Sequence, residues 1–277
     1  MVQPANASPP ENHERDKWDH GSTTEFFDYY ASASLTPETR VRFTSVRDMV
    51  LRQAGAAAQN RHLEVADIGC GAGAQCQLWA ELGHSVHGLD INGPLIELAR
   101  QRAAERRQEI QFEIGSVTNL PWSDASMDVC LSPEPLEHVQ DWESCVNEFV
   151  RILKPGGILY LSTTNKLCPR QQEFDLPFYS WYPSTLKRRY ERLAVTSRPE
   201  LVNHAKYPAV NWFTFYQLRD WLRERGMESR DRFDVMDLAS KGAAARGLVR
   251  LIHALPPLRW CAHLATSYTV VVAVKTA

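Results

Sequence analysis

From residue 63 onward the chain alternates short apolar runs with longer amphipathic stretches. Residues 63–68, 85–90, 110–114, 127–132 and 158–163 are compact runs of strand length. Between them, residues 73–82, 93–107 and 141–153 carry apolar side chains at helical spacing, with Glu97, Arg100, Arg102 and Glu105 turned outward on the second. Strand and helix in alternation imply a parallel sheet with right-handed crossovers. Upstream, Thr36-Pro37-Glu38 opens a helix that runs to about Ala54. Downstream, the pattern predicts a helix over 214–225, a sixth strand over 229–235, a helical insertion over 241–255 broken by Pro256-Pro257, and a last strand over 268–274.

The first strand runs into Asp67-Ile68-Gly69-Cys70-Gly71-Ala72-Gly73, a D-x-G-x-G-x-G pattern. Glycines at alternate positions let the chain turn tightly and bring bare backbone against a ligand before the next helix begins. A dinucleotide loop would need G-x-G-x-x-G, and no glycine stands where that pattern wants its third. The second strand ends in Asp90, a carboxylate placed to accept hydrogen bonds from a ribose diol. The pattern therefore predicts a bound nucleoside without a pyrophosphate.

Composition narrows the setting. At 277 residues with 44% apolar side chains, the chain can bury a full core, and a formal charge of -2 gives no surface for tracking phosphates, so nucleic acid is not an expected partner. Six cysteines (Cys70, Cys76, Cys130, Cys145, Cys168, Cys261) lack C-x-x-C spacing and read as free thiols of a reducing, cytoplasmic compartment. Residues 1–15 are polar and proline-rich and read as a disordered leader, and no window has the length and apolarity of a membrane span.

Asp67, the three glycines, Asp90 and Leu153-Lys154-Pro155-Gly156-Gly157, in this order, resemble the class I S-adenosylmethionine-dependent methyltransferases over residues 63–164. The resemblance implies an α/β fold, a doubly wound, seven-stranded, mostly parallel sheet of the Rossmann-like methyltransferase type with helical lid insertions, its last two strands antiparallel at the edge. The expected layout is one methyltransferase domain over 1–277: an N-terminal helical cover (16–56), the cofactor core (63–164), a lid (165–213) and a second helical insertion (236–266). S-adenosylmethionine would be held by Asp67, Gly69, Cys70, Gly71 and Gly73, by Asp90 and Ile91 at the ribose, by Ser116 and Val117 at the adenine, and by Ser132 near the sulfonium, and would leave as S-adenosylhomocysteine. Where the family commonly has an acid at the adenine, Ser116 stands here.

After the fourth strand comes Pro133-Glu134-Pro135-Leu136-Glu137-His138-Val139. His138, titrating near neutrality, is the candidate base for an acceptor hydroxyl, with Glu137 and Glu134 beside it. The same E-x-x-E-H could place two carboxylates and an imidazole around a divalent metal, with His204 as a further histidine, although Pro135 breaks a regular helix there and no metal ligand is assigned. A plain structural turn is the competing reading. The segment 165–211 is rich in aromatics (Phe174, Tyr179, Trp181, Tyr182, Tyr190, Tyr207) beside Lys187, Arg188, Arg189 and Arg192. As a set these suggest a roomy apolar pocket; singly, a satellite core and a solvated helix face.

Together with Asn211-Trp212-Phe213-Thr214, the fourth-strand segment resembles the ubiquinone-pathway O-methyltransferases, which implies a small-molecule acceptor with an apolar or aromatic portion, methylated at a hydroxyl. N- or C-methylation, sugar O-methylation in natural-product biosynthesis and a non-catalytic cofactor-binding scaffold stand as alternatives. The apolar 236–266 insertion could cover the pocket, join two copies or touch a membrane, so peripheral membrane contact and oligomeric state stay open.

Overall fold

A computed structural model describes residues 24–55, 61–170, 174–201, 209 and 211–276. The expected leader and Trp18, Tyr207 and His204 lie outside these. Two helices, α1 (Thr24–Ala33) and α2 (Pro37–Ala54), lead into a core of β1 (Glu64–Ile68), α3 (Ala74–Ala80), β2 (Ser85–Asp90), α4 (Gly93–Glu105), β3 (Ile110–Ile114), β4 (Met127–Pro133), α5 (Trp142–Ile152) and β5 (Leu153–Thr164). After a short 3-10 turn at Tyr179–Trp181 come α6 (Ser184–Thr196), α7 (Phe215–Arg223), β6 (Met227–Asp231), α8 (Ala243–Ala254), α9 (Pro256–Leu264) and β7 (Tyr268–Lys275).

The seven strands form one sheet in the order β3-β2-β1-β4-β5-β7-β6. Strands β1 to β5 are parallel, while β7 pairs antiparallel with both β5 and β6. Since β7 opposes both its neighbours, β6 runs with β5. Only β7 is reversed, and the C-terminal ends of β1, β4, β5 and β6 share one edge of the sheet. The order turns back between β1 and β4, and at such a switch point an open α/β sheet leaves a crevice for a ligand.

Both faces of the sheet are buried. Ile68, Leu89, Cys130, Leu159 and Leu161 pack with Phe149 of α5 and Phe215 and Leu218 of α7 on one face. Val65, Val86, Leu131, Tyr160 and Val272 pack with Val46 and Val50 of α2 and Trp79 of α3 on the other. The helices begin where their sequences dictate: Thr36, Asn92, Asp141 and Thr214 each cap a helix through a side-chain oxygen that accepts a backbone amide.

Four elements differ from the sequence pattern. Strand β5 begins at Leu153, because Leu153 already pairs with Met127 and the Lys154–Gly157 segment continues the strand through a register shift. Strand β6 stops at Asp231, whose carboxylate accepts the amides of Phe233 and Asp234 and turns the chain there, so the buried Phe233 and Val235 belong to the turn. The insertion breaks at Pro256 as expected, with α8 ending at Ala254, but Pro256 also opens a further helix, α9, occupying the first helical turn where a missing N–H is harmless. Among the described lid residues, Trp181 is exposed, while Phe174, Tyr179, Ala194, Leu201, Ala209 and Trp212 form a third core, with the Phe174 and Tyr179 rings stacked 3.9 Å apart. Lys187 is drawn onto it, its Nζ 4.1 Å from the centre of the Trp212 ring and donating to the Ser180 carbonyl.

In the second insertion, Val249 and Ile252 are buried and Leu248, Leu251, Leu255 and Trp260 are exposed. Among the described residues no helix is long and apolar enough to cross a membrane. All six cysteines are unlinked.

Candidate active site

At the C-terminal end of β1, Gly69, Gly71 and Gly73 all take left-handed φ angles of 74°, 52° and 75°. The three are not equivalent. A Cβ on Gly73 would lie 2.9 Å from the Phe112 ring and 3.0 Å from Ala99, so this glycine lets α3 settle against β3 and α4. A Cβ on Gly71 would meet nothing within 4 Å, so there the main chain borders open space. The Gly69 and Cys70 amides donate to the Leu89 carbonyl, which sews the loop to β2.

Asp90 closes this crook. Its Oδ2 accepts the Gly71 amide and its Oδ1 the Asn92 amide, both at 2.8 Å, leaving each oxygen a lone pair for a hydroxyl donor. Burial pushes its carboxyl above the usual value, and the amides of Asn92, Gly71 and Ile91 act the other way. Asp67 sits elsewhere: it is buried beneath the loop, with Oδ1 accepting from Gln75 Nε2 at 2.9 Å and Oδ2 from Cys76 Sγ at 3.1 Å. Desolvation raises its pKa to about 6. Its contacts are to the loop and α3, not to open space. Cys70 is half-buried beside Cys76, and burial pushes its thiol up to about 11, a protonated group at neutral pH.

Ser116 follows β3 and pairs its hydroxyl with Thr118 at 2.8 Å, while Val117 packs half-buried against the α5 face. Ser132, near the end of β4, is fully buried, and its Oγ finds no hydrogen-bond partner. That absence holds among the described residues, and a hydroxyl so placed is costly unless something completes it.

The segment after β4 folds as a compact turn against the loop, with Pro135 3.5 Å from the point where a Gly69 Cβ would stand. Glu134 has φ 68°, donates its amide to the Ser162 carbonyl, and pairs with Arg42 of α2 at 2.9 Å. Glu137 points the other way, buried, with Oε2 accepting from Thr163 on β5 at 2.8 Å. His138 is half-buried in the turn, its amide bonded to the Pro135 carbonyl. The two glutamates thus serve opposite sides of the turn, and among the described residues no group of three or more His, Cys, Asp or Glu side chains is placed to hold a metal ion.

Several further residues contribute to the site. Asn211 donates from Nδ2 to the carbonyls of Leu136 and Val139 and from its amide to Glu137, clamping the turn. Arg42 acts through a partner distant in sequence, which no local spacing reveals, whereas Gln75 holds Asp67 within the same loop-and-helix segment; Asn92 was readable as the cap before Gly93-Pro94. A cavity of about 320 Å³ opens at the opposite edge of the sheet, among Arg61, Asp128, Lys154 and Gly157, where Asp128 is already paired with both cations. It lies at the wrong end of the strands for the glycine crook.

Residues 66–161 match the methyltransferase domain family. The chain is 35% identical over 130 residues to a ubiquinone biosynthesis O-methyltransferase of Chelativorans sp., an alignment covering 46% of this chain and 51% of the relative. It is 31% identical over 117 residues to a malonyl-[acyl-carrier protein] O-methyltransferase of Serratia marcescens, covering 42% and 44%. It thus spans about half the length of the curated relatives it matches. A solved S-adenosylmethionine-dependent methyltransferase from Mesorhizobium loti superposes with a TM-score of 0.53 at 20% identity, over 81% of this chain and 95% of that one, which shows a shared fold.

Proposed function

From a methyltransferase domain at residues 66–161, we propose that this chain transfers a methyl group from S-adenosylmethionine to a hydroxyl of a small, partly apolar metabolite of aromatic or quinone-like type. The observation that carries the reading is the crook of Gly69, Gly71 and Gly73 around the Asp90 carboxylate, with main chain bordering open space at Gly71. The residues fit the cofactor. Asp90 would take the ribose hydroxyls on its remaining lone pairs, the loop amides and Ile91 would line the nucleoside and amino-acid parts, and the orphaned Ser132 hydroxyl would gain a partner near the reacting centre. Asp67 would support the loop from below by fixing Gln75 and Cys76.

When bound, S-adenosylmethionine supplies an activated methyl on a sulfonium, a centre that needs alignment more than further activation. His138 would hold the proton leaving the acceptor hydroxyl. Glu137, fixed by Thr163, and Asn211, bridging two carbonyls of the turn, would keep that imidazole in place. The relatives named as O-methyltransferases support the choice of oxygen as the methylated atom. The six unlinked cysteines favour a reducing, cytoplasmic setting.

The test is transfer of labelled methyl to a panel of catechols, hydroxyquinones, glycosides and amines. Label is expected in a phenolic hydroxyl, with His138→Ala lowering the rate roughly a hundredfold. Label confined to amines would refute the oxygen assignment, and near-normal turnover by the variant would remove His138 as the base.

A further inference from the structure

Among the described residues, one cation near the proposed site, Arg232, has no ion-pair or hydrogen-bond partner. Along the C-terminal edge of the sheet, Pro133 of β4 is level with Ser162 of β5, Ser162 with Val270 of β7, and Asp231, the last residue of β6, with Val271. Arg232 follows Asp231 and extends the row that Pro133, Ser162 and Val270 begin. Two residues earlier, Arg230 donates to Gln53 of α2, and the charge of Arg232, just past the end of β6, acts on Tyr160 of the face that α2 covers. On that face Tyr160 is buried with its hydroxyl beside Ser162, and the charges of Arg42, Glu134 and Arg232 all act on it.

The neighbouring charges are already engaged. Arg42 is paired with Glu134, while the Asp231 carboxylate is taken by Arg259 at 2.7 Å and His263 at 3.0 Å. Asp234 is paired with the same Arg259. Among the described residues Arg232, half-buried, makes no ion pair or side-chain hydrogen bond, and burial holds its guanidinium below the usual value. A cation kept partly dry without a partner weakens the fold, and such a group is retained where something else completes it.

We propose that Arg232, with the hydroxyls of Tyr160 and Ser162, forms an anion subsite of the acceptor pocket, and that the acceptor is a hydroxylated carboxylate whose carboxylate seats there. The assignment rests on the methyl-transfer reading and names its substrate class. A guanidinium presents paired N–H donors that match a carboxylate in two parallel hydrogen bonds. Tyr160 stands on β5, one strand spacing from β4, and Arg232 beyond β6, three spacings from it, so a carboxylate held between the two would lie about two spacings, roughly 10 Å, from β4. That separation suits a hydroxyl and a carboxylate on opposite sides of one aromatic ring.

The test uses the full chain loaded with S-adenosylhomocysteine, titrated with 4-hydroxybenzoate and with 4-hydroxybenzamide, which keeps the ring and hydroxyl but lacks the charge. The carboxylate is expected to bind about tenfold or more tightly than the amide. Arg232→Met should abolish that preference, keep its affinity for S-adenosylhomocysteine, and melt at or above the wild-type temperature, because an uncompensated charge has been removed. Arg232→Lys should keep part of the preference. Equal binding of the two probes, or no binding of the carboxylate, overturns the subsite while leaving the methyl-transfer reading intact. An Arg232→Met chain that melts several degrees lower assigns Arg232 to structure and also overturns it. Failure to bind S-adenosylhomocysteine at all overturns both.

Discussion

At the β1–β2 end of the sheet edge, Gly71 leaves main chain uncovered beside a single carboxylate, and its amide points at Asp90. At the β5–β7–β6 end, side chains hold one another: Phe174 stacks on Tyr179, His263 lies parallel to Phe215, and Asp231 is wrapped by His263, Arg259 and two amides. Backbone forms the first region, so it can accept a ligand common to many proteins. Packing between distant side chains forms the second, so it can differ from one relative to the next. The buried acids carry the same contrast. Burial without a cation raises Asp67, whereas Arg259 and His263 hold Asp231 well below the usual carboxylate range.

The sharpest way to break this comparison is Asp231→Ala. It strands Arg259 and His263 and releases α9 from β6, so a loss of about 4 kcal/mol in denaturant unfolding is expected, with S-adenosylhomocysteine affinity preserved in the folded fraction. A loss under 1 kcal/mol would mean that the Asp231 network does not hold the acceptor side together. Next is the pair Gly73→Ala and Gly71→Ala. Both impose a left-handed φ on alanine, but only the first drives a methyl into Phe112 and Ala99, so about 3 kcal/mol is expected for Gly73 against about 1 kcal/mol for Gly71. Equal losses would remove the distinction between a packing glycine and a ligand-facing one.

The smallest effect is in pH dependence and has opposite signs at the two ends. A raised carboxyl stabilises the fold fully below its unfolded pKa of 3.8 and loses that contribution as pH rises through about 6. Asp67 should therefore make the chain less stable between pH 4 and 7 by up to roughly 3 kcal/mol, and Asp67→Asn should flatten that slope in melting scans. Asp231, held low, stabilises above about pH 4, and its contribution is lost as pH falls below that. A variant slope matching wild type over pH 4–7 would show that Asp67 is not titrating where its burial puts it.

These opposite environments also explain what could be read from the chain. Strands β2 and β3 were legible to the residue because their apolar runs are bounded by a glycine loop, Asn92 and Gly115, all local signals. The crook was legible because its chemistry is made of backbone, and glycine spacing reports backbone directly. Glu134 and Glu137 were visible as acids, but their opposite directions were not, since Arg42 and Thr163 lie on elements far along the chain. The lid aromatics hid their destination for the same reason: nothing local says whether rings stack on each other or on a ligand. Arg232 is the extreme case, a single basic residue in a turn whose surroundings are set by the register of four strands.

The central claim is that the Gly69–Gly73 crook and Asp90 bind the S-adenosyl group. Titration calorimetry of S-adenosylhomocysteine into the wild-type chain and Asp90→Ala tests it directly. Saturable binding to one site is expected, weakened in the variant by about 1–3 kcal/mol, or roughly five- to 150-fold in affinity, as for a lost hydrogen bond to a charged group. No binding by the wild-type chain, or equal affinity in the two proteins, would contradict it.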